Sequence, residues 1–493
     1  MPESSSENGM FKVLRNAVVD GVGPRAGRLS LPKRPPIDTP NFIGITSRGA
    51  IPHMTPDVIS KHANLSGSYM ALEDFVERSK KRVQPAVFNA SSDNKETLHA
   101  YTATPTSVAT VLGARRHPAV VAPMGNGKDY VSIYTSTGFQ KLKNGEYCRD
   151  VERLQPDIAI PLADLTFDTS HTKTNLPNPK RQLRMVERTE DWLAELIKLR
   201  NADLVDGTAK PCIFAPLLPV SYPTQWEYLN HLSQDYVSQL SGLAIYDADI
   251  LPNLGDHGSL HPLPRMSMHF ITSPHEILQQ IRLGMDMFAV PFINTASDAG
   301  IAFTFTFPPS TSETSGVQPL GIDMWSTDHQ VSLKSLADGC QCYACTNHHR
   351  AYLQHLLNAK EMLGWTLLQI HNHHMLGDFF KGIRTTLLAD PSTFERDCDV
   401  FSKTYEAELP KGTGERPRAR GYHFKADGGQ AKINPPAWEK YDGDGTEDPA
   451  LAGEIAGLAV TGPTAEGVET PLVPDADADA KDLDKKGFAE IDQ

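Results

Sequence analysis

CIFAPLLPVSYPTQWEYLNHLSQDYVSQLSGLAIYD, residues 212–247, decides the fold class. CIFAPLLPV (212–220) is almost wholly apolar, which suits a strand covered on both faces. TQWEYLNHLSQDYVSQ (224–239) then spaces its apolar side chains for a helix and opens on a threonine suited to an N-cap. GLAIYD (242–247) returns to a short apolar strand. Strand, helix and strand in that order build a parallel sheet, because parallel neighbours need a long crossover.

The same alternation extends in both directions. DIAIPL (157–162), MSMHFIT (266–272), MFAVPF (287–292) and AFTFTF (302–307) read as further strands. TEDWLAELIKLRNA (189–202) and SPHEILQQIRLG (273–284) read as helices, with Thr189 and Ser273 as their predicted caps. A doubly wound sheet gives a similar pattern, but no G-x-G-x-x-G follows any of these strands, which counts against a dinucleotide site. So many units in one run favour an α/β fold of the (β/α)8, or TIM-barrel, type.

In a chain of 493 residues this pattern leaves both ends over. Residues 1–24 are polar and expected to be mobile, apart from a strand at 10–14. The folded part is expected to span 25–405. The tail, 406–493, starts near the basic stretch RPRARGYHFK (416–425), ends in the charged run DADADAKDLDKK (475–486), and carries −9 of the net charge of −13. Such composition predicts disorder, since it buries too little apolar surface to offset chain entropy. No run of about 18 apolar residues points to a membrane span, and MPESSSENGM lacks the layout of a signal peptide.

The six cysteines do not form a disulfide framework. Cys148, Cys212 and Cys398 are scattered, whereas Cys340, Cys342 and Cys345 make C-x-C-x-x-C within DGCQCYACTNHHRAYLQHLLNAKEMLGWTLLQIHNHH (338–374). That distribution predicts a reducing, cytoplasmic setting and a metal site; buried thiols or a redox pair are the competing reading. A helix over about 350–363, ended by Gly364, and a second from Trp365 would swing a histidine back to the thiolates. Three thiolates and an imidazole suit tetrahedral zinc, and a site with all four positions filled is structural. Spacing alone leaves the histidine open among His348, His349, His355, His371, His373 and His374.

Two stretches resemble the tRNA-guanine transglycosylase family. RAGRLSLPKRPPIDTPNFIGITSRGAIPHMTPDVI (25–59) is similar to its opening, with R-x-G-R-L, T-P-x-F and M-T-P-x anchors. The cysteine region matches its C-x-C-x-x-C, followed at a fixed distance by the histidine of an H-N pair, here His371–Asn372. Between them, GLAIYD resembles a G-G-L-A-x-G strand, and LGMDMFAVPF (283–292) resembles G-x-D-M-F-D-x-x-x-P. The resemblance runs from about 25 to about 390 with the order kept. It implies a barrel with a zinc subdomain near its C-terminal end (335–376). It also implies one Zn2+ per subunit on Cys340, Cys342, Cys345 and His371, and a reaction exchanging guanine at the tRNA wobble position for a 7-deazaguanine such as queuine.

That reaction needs a carboxylate nucleophile on the ribose C1′, as a retaining glycosidase does. The family's nucleophile follows M-F, where this chain has Ala289. A methyl group cannot attack. No D-S-G-G-F-Q occurs either; the nearest likeness, TSTGFQ (135–140), carries Thr135, and Tyr246 replaces a small glycine of the base-binding strand. These losses resemble the family's non-catalytic accessory subunits, which implies a heterodimer with a catalytic subunit, a role in holding tRNA and no catalytic residues. A homodimer stays open, as does peripheral association with an organelle surface. Lys180, Arg181, Arg184, Arg416, Arg418 and Arg420 are the candidates for tRNA phosphates, against the plainer reading of a solvated face. Two alternatives remain. One is a glycosylase with a relocated carboxylate at Asp164, Asp286 or Asp298; the other is a zinc scaffold unrelated to tRNA.

Overall fold

The computed structural model describes residues 10–16, 23–76, 84–90, 96–122, 125–136, 138–165, 177–202, 210–309 and 316–417. Contacts divide the chain into Met1–Gly429 and Gln430–Gln493, and the second unit lies wholly outside the described residues.

Eight parallel strands close into a barrel: β1 (Asn41–Ile45), β2 (Gly67–Ala71), β3 (Ala109–Gly113), β4 (Ile158–Ala159), β5 (Cys212–Leu217), β6 (Gly242–Ile245), β7 (Arg265–Ser267) and β8 (Met287–Val290). Each pairs with its neighbour in sequence, and β8 closes on β1 with Ala289 opposite Ile43. Side chains alternate across the wall as strand geometry requires. Ile43, Val111, Ile158, Phe214, Ala244 and Ala289 fill the interior, while Phe42, Met70, Leu112, Ile213, Leu243 and Phe288 face the surrounding shell. This two-sided burial is why the strands read as unbroken apolar runs.

An antiparallel sheet of Phe11–Asn16, Arg25–Leu29 and Ile37–Thr39 lies beside the barrel and adds Leu29 and Ile37 to its interior cluster. Its first strand, Phe11–Asn16, overlaps the strand expected at 10–14. Gly27 permits that pairing, since a Cβ there would stand 2.5 Å from the Phe11 ring. Residues 1–9 and 17–22 lie outside the described residues.

Three of these local expectations need correction. AFTFTF is not a barrel strand: Ile301–Phe303 pairs antiparallel with Gly321–Asp323 in a separate two-stranded sheet. The helix expected at Thr189 begins ten residues earlier, as α1 (Pro179–Ala202), and the Thr189 hydroxyl donates to the Met185 carbonyl in mid-helix. α2 (Tyr222–His231) takes Ser221 at its N-cap, not Thr224. Only α3 (Pro274–Arg282) starts at its predicted cap, Ser273.

α4 (Phe292–Asp298) follows β8 directly. After the small sheet come α5 (Tyr343–Asn347), α6 (Arg350–Asn358) and α7 (Met362–Ala389), the last 28 residues long. Here too the expectation shifts. Lys360, with φ of 58°, turns the chain between α6 and α7, and Gly364 lies inside α7. A Cβ at Gly364 would come within 3.2 Å of both Leu356 and Leu357, so this glycine serves the close approach of two helices rather than ending one. Beyond the barrel, residues 406–417 are described, with Thr413 donating its hydroxyl to Asp323 at 2.6 Å. The rest of the tail, including Arg418 and Arg420, lies outside the described residues.

Candidate metal centre and barrel mouth

Cys340 and Cys342 lie in the turn before α5, Cys345 sits within α5, and His371 projects from the middle of α7. The four donor atoms lie within 4.8 Å of one another, with His371 Nδ1 at 3.7, 3.5 and 3.4 Å from the sulfurs of Cys340, Cys342 and Cys345. Metal–sulfur bonds of about 2.3 Å and a metal–nitrogen bond of about 2.0–2.1 Å in a tetrahedron give sulfur–nitrogen edges of about 3.5–3.6 Å. The cluster therefore has the dimensions of a four-coordinate metal site. Of the six histidines near the cysteines in sequence, His371 is the one in this four-donor cluster.

Electrostatics point the same way. Cys342 and then Cys345 hold the Cys340 thiol far below its usual range, while Cys342 is pushed up in return. Burial lowers the affinity of His371 for a proton, but the sulfurs of Cys340 and Cys345 outweigh it and raise its pKa to about 9. Three packed sulfurs cannot all ionise unaided, and a dication resolves the conflict.

His371 Nε2 donates to the Phe303 carbonyl at 2.8 Å, which leaves Nδ1 facing the thiolates. Its neighbour Asn372 accepts from Phe303 N–H at 2.9 Å and donates to Ile301 O and Ser297 Oγ, both at 2.9 Å. Both side chains are fully buried, so α7 is fastened to the strand after α4 through adjacent residues. The resemblance supplied the His–Asn pair; the role of Asn372 was missed because its partners are mostly backbone atoms.

At the C-terminal mouth of the barrel, where active sites of this fold lie, Ala289 is fully buried among interior apolar side chains. The three alternative carboxylates are all engaged. Asp164 accepts from Asn126 at 2.8 Å, Arg181 at 2.9 Å and Arg188 at 3.1 Å. Asp286 precedes β8, at the opposite end of the barrel from the mouth, and binds Arg25 Nε at 2.9 Å and the Arg265 N–H at 2.7 Å. Asp298, at the end of α4, pairs with His53 Nε2 at 2.7 Å. On either side of Thr137, which lies outside the described residues, Tyr130–Thr135 pairs antiparallel with Gly138–Lys143 as a hairpin, and the Thr135 hydroxyl donates to the Gly138 carbonyl.

Sequence reading also missed Glu73, just beyond β2 in YMALED (69–74). Burial pushes its pKa up to about 7, although each oxygen accepts a backbone N–H at 2.7 Å, from Arg116 and Tyr134. That carboxylate ties the hairpin to the barrel. Of the basic candidates, Arg181 is committed to Asp164, while Lys180, Arg184 and Arg416 are exposed.

The family described as queuine tRNA-ribosyltransferase matches residues 20–407. A fission yeast (Schizosaccharomyces pombe) protein named queuine tRNA-ribosyltransferase accessory subunit 2 is 34% identical over 406 residues, covering 82% of this chain and 86% of that protein. Proteins of the same name from the mosquitoes Culex quinquefasciatus and Anopheles gambiae are each 26% identical, covering 71% of this chain and 81% and 80% of theirs. The match spans the barrel, the four-residue cluster and the strand that carries Ala289: the chain belongs to the queuine tRNA-ribosyltransferase family.

Proposed function

We propose that this chain is the non-catalytic accessory subunit of a two-subunit queuine tRNA-ribosyltransferase. It joins a catalytic subunit, helps hold tRNA, and carries one structural zinc ion on Cys340, Cys342, Cys345 and His371. Ala289 carries the reading: the position of the family's nucleophile holds a buried methyl group, and the nearby carboxylates are bound by arginines, histidine or backbone. Zinc fits the donor set, since three sulfurs and one imidazole at tetrahedral edge lengths favour a borderline-soft d10 ion over an oxygen-seeking one. When bound it supplies a fixed cross-link rather than chemistry.

Partner binding is supported by the surface beside this cluster. Val331 and Leu333 are 87% and 76% exposed, on a segment hydrogen-bonded to the start of α6. Exposed apolar side chains grouped in this way mark contact surfaces. Exposed Lys180, Arg184 and Arg416 suit tRNA phosphates. The cytoplasm fits the free cysteines. No helix among the described residues is long and apolar enough to cross a membrane.

The test is labelled guanine or queuine incorporation into tRNA by the purified chain, by a catalytic transglycosylase subunit, and by the two together. No exchange by the chain alone, and co-purification of a complex that does exchange, are expected. Exchange by the isolated chain overturns the proposal, as does failure to bind both the catalytic subunit and tRNA.

A further inference from the structure

After α8 (Pro391–Thr404) the family match soon stops, at residue 407, but the described chain runs on to 417. That last stretch is fastened at several points. The Thr404 carbonyl accepts from Gln318 N–H at 2.7 Å, and Glu406 N–H donates to the Gln318 carbonyl at 2.9 Å, which turns the chain toward the small sheet of Ile301–Phe303 and Gly321–Asp323. Leu409 then packs against the large core cluster.

Lys411–Glu415, KGTGE, meets three separate elements. Thr413 donates both its N–H, at 3.0 Å, and its hydroxyl, at 2.6 Å, to one oxygen of Asp323. The other oxygen accepts the Trp325 N–H at 3.1 Å. Gly412 lies against the Ala299 carbonyl and Gly414 against the Trp325 ring; a Cβ at either would stand 2.0 Å from its neighbour. The Trp325 indole N–H donates to that same Ala299 carbonyl at 3.1 Å, so both glycines sit over one spot. Glu415 pairs with Lys360, in the turn between α6 and α7, at 2.7 Å. That ion pair is exposed and contributes little. The fit comes from the two glycines and from the hydrogen bonds to a carboxylate, which are about twice as strong as neutral ones.

The elements joined in this way belong to different parts of the molecule. Ala299 follows α4 and packs against the core around the barrel, whereas Trp325 packs against the cluster that holds Cys342. Asp323 stands opposite Ile301, and two residues further along that strand the Phe303 carbonyl accepts from His371.

We propose that Lys411–Glu415 is a clasp that holds the metal subdomain on the last unit of the barrel and braces the strand that orients His371. It lies past the residues matched by the family, and it stands whether or not the accessory-subunit reading holds.

Limited trypsin digestion and zinc transfer to a chromophoric chelator, both on the full zinc-loaded chain, test it with wild type beside Gly414→Val. The valine drives branched carbons into the Trp325 ring and so opens the clasp. Circular dichroism checks that the variant is folded, and mass spectrometry identifies a product ending at Lys411. Wild type is expected to resist cleavage after Lys411. Gly414→Val is expected to be cut there and to lose zinc about tenfold faster or more. Rapid cleavage after Lys411 in wild type overturns the clasp, as does a folded variant that resists cleavage as wild type does. A variant that is cut there yet holds zinc as wild type does overturns the bracing of His371. If Gly414→Val fails to fold, Thr413→Val, which removes the hydroxyl at nearly equal size, replaces it and faces the same outcomes.

Discussion

Asn372→Ala offers a sharp test of how the metal cluster is built. The amide makes three buried hydrogen bonds, to Phe303 N–H, Ile301 O and Ser297 Oγ, each at 2.9 Å. Alanine leaves the N–H and the carbonyl without partners in a dry interior, while the serine hydroxyl can rotate toward another acceptor. An orphaned buried group costs about 1–3 kcal/mol, so the two backbone groups together cost about 2–6 kcal/mol. A second consequence concerns the metal. The strand that Asn372 holds carries the Phe303 carbonyl, and that carbonyl fixes the ring of His371. Loosening such an outer partner lowers metal affinity about 10- to 100-fold. Competition for zinc with a chromophoric chelator reads the affinity, and thermal melting with and without metal reads the stability. Cobalt substitution gives an independent signature, since the visible bands of the tetrahedral ion should broaden or shift. A variant that melts like wild type and holds zinc as tightly would refute both the hydrogen-bond accounting and the link from Asn372 to His371.

Cys342→Ser should bring zinc content toward zero and loosen 338–374, because Cys342 also caps α5 by accepting the Cys345 N–H; full occupancy would mean a different ligand set. Asp286→Asn leaves the buried Arg25 guanidinium without its counter-charge, and breaking such a pair costs about 3–5 kcal/mol, seen as a lower urea midpoint. Burial lowers the pKa of His117 to about 4 from an ordinary 6.5. The unfolded chain therefore binds the extra proton between those values, and stability falls as pH drops through 6.5 toward 4, by up to about 3 kcal/mol from this group. His117→Phe should flatten that part of the melting-temperature profile relative to wild type; an unchanged slope would place the effect elsewhere.

The sequence displayed some of this structure openly. β5 and β6 could be read because each is buried on both faces, so a pattern of composition stood in for a pattern in space. β1, β2 and β3 could not: each is five residues long and carries a glycine, Gly44, Gly67 or Gly113, that reads locally as a break. They become strands through pairing with neighbours distant in sequence. AFTFTF alternates apolar residues with threonines, but only Ile301–Phe303 forms a strand, buried throughout, and Thr304 and Thr306 lie beyond its end. Gly364 shows the same limit, because a glycine that ends a helix and one that lets two helices touch look alike in one dimension. The cysteine cluster was legible because its three sulfur donors come from six consecutive residues. Choosing His371 took a resemblance, since its distance from the cysteines is set by the turn at Lys360 and the packing of α6 on α7.

The buried charged groups at the two ends of the barrel each depend on a complete set of partners. Floor and cluster retain costly, mutually dependent groups: a fully buried Asp286 matched by Arg25 and the Arg265 N–H, and four metal donors backed by Asn372. Such groups survive only as complete sets, because removing one member strands the rest in a medium that cannot solvate them. The mouth has buried sets of its own: Asp164 accepts from Asn126, Arg181 and Arg188, and Glu73 accepts the Arg116 and Tyr134 N–H groups. Ala289 lies in the strand that resembles the family's nucleophile segment, and Asp164, beyond β4, is shared between two arginines.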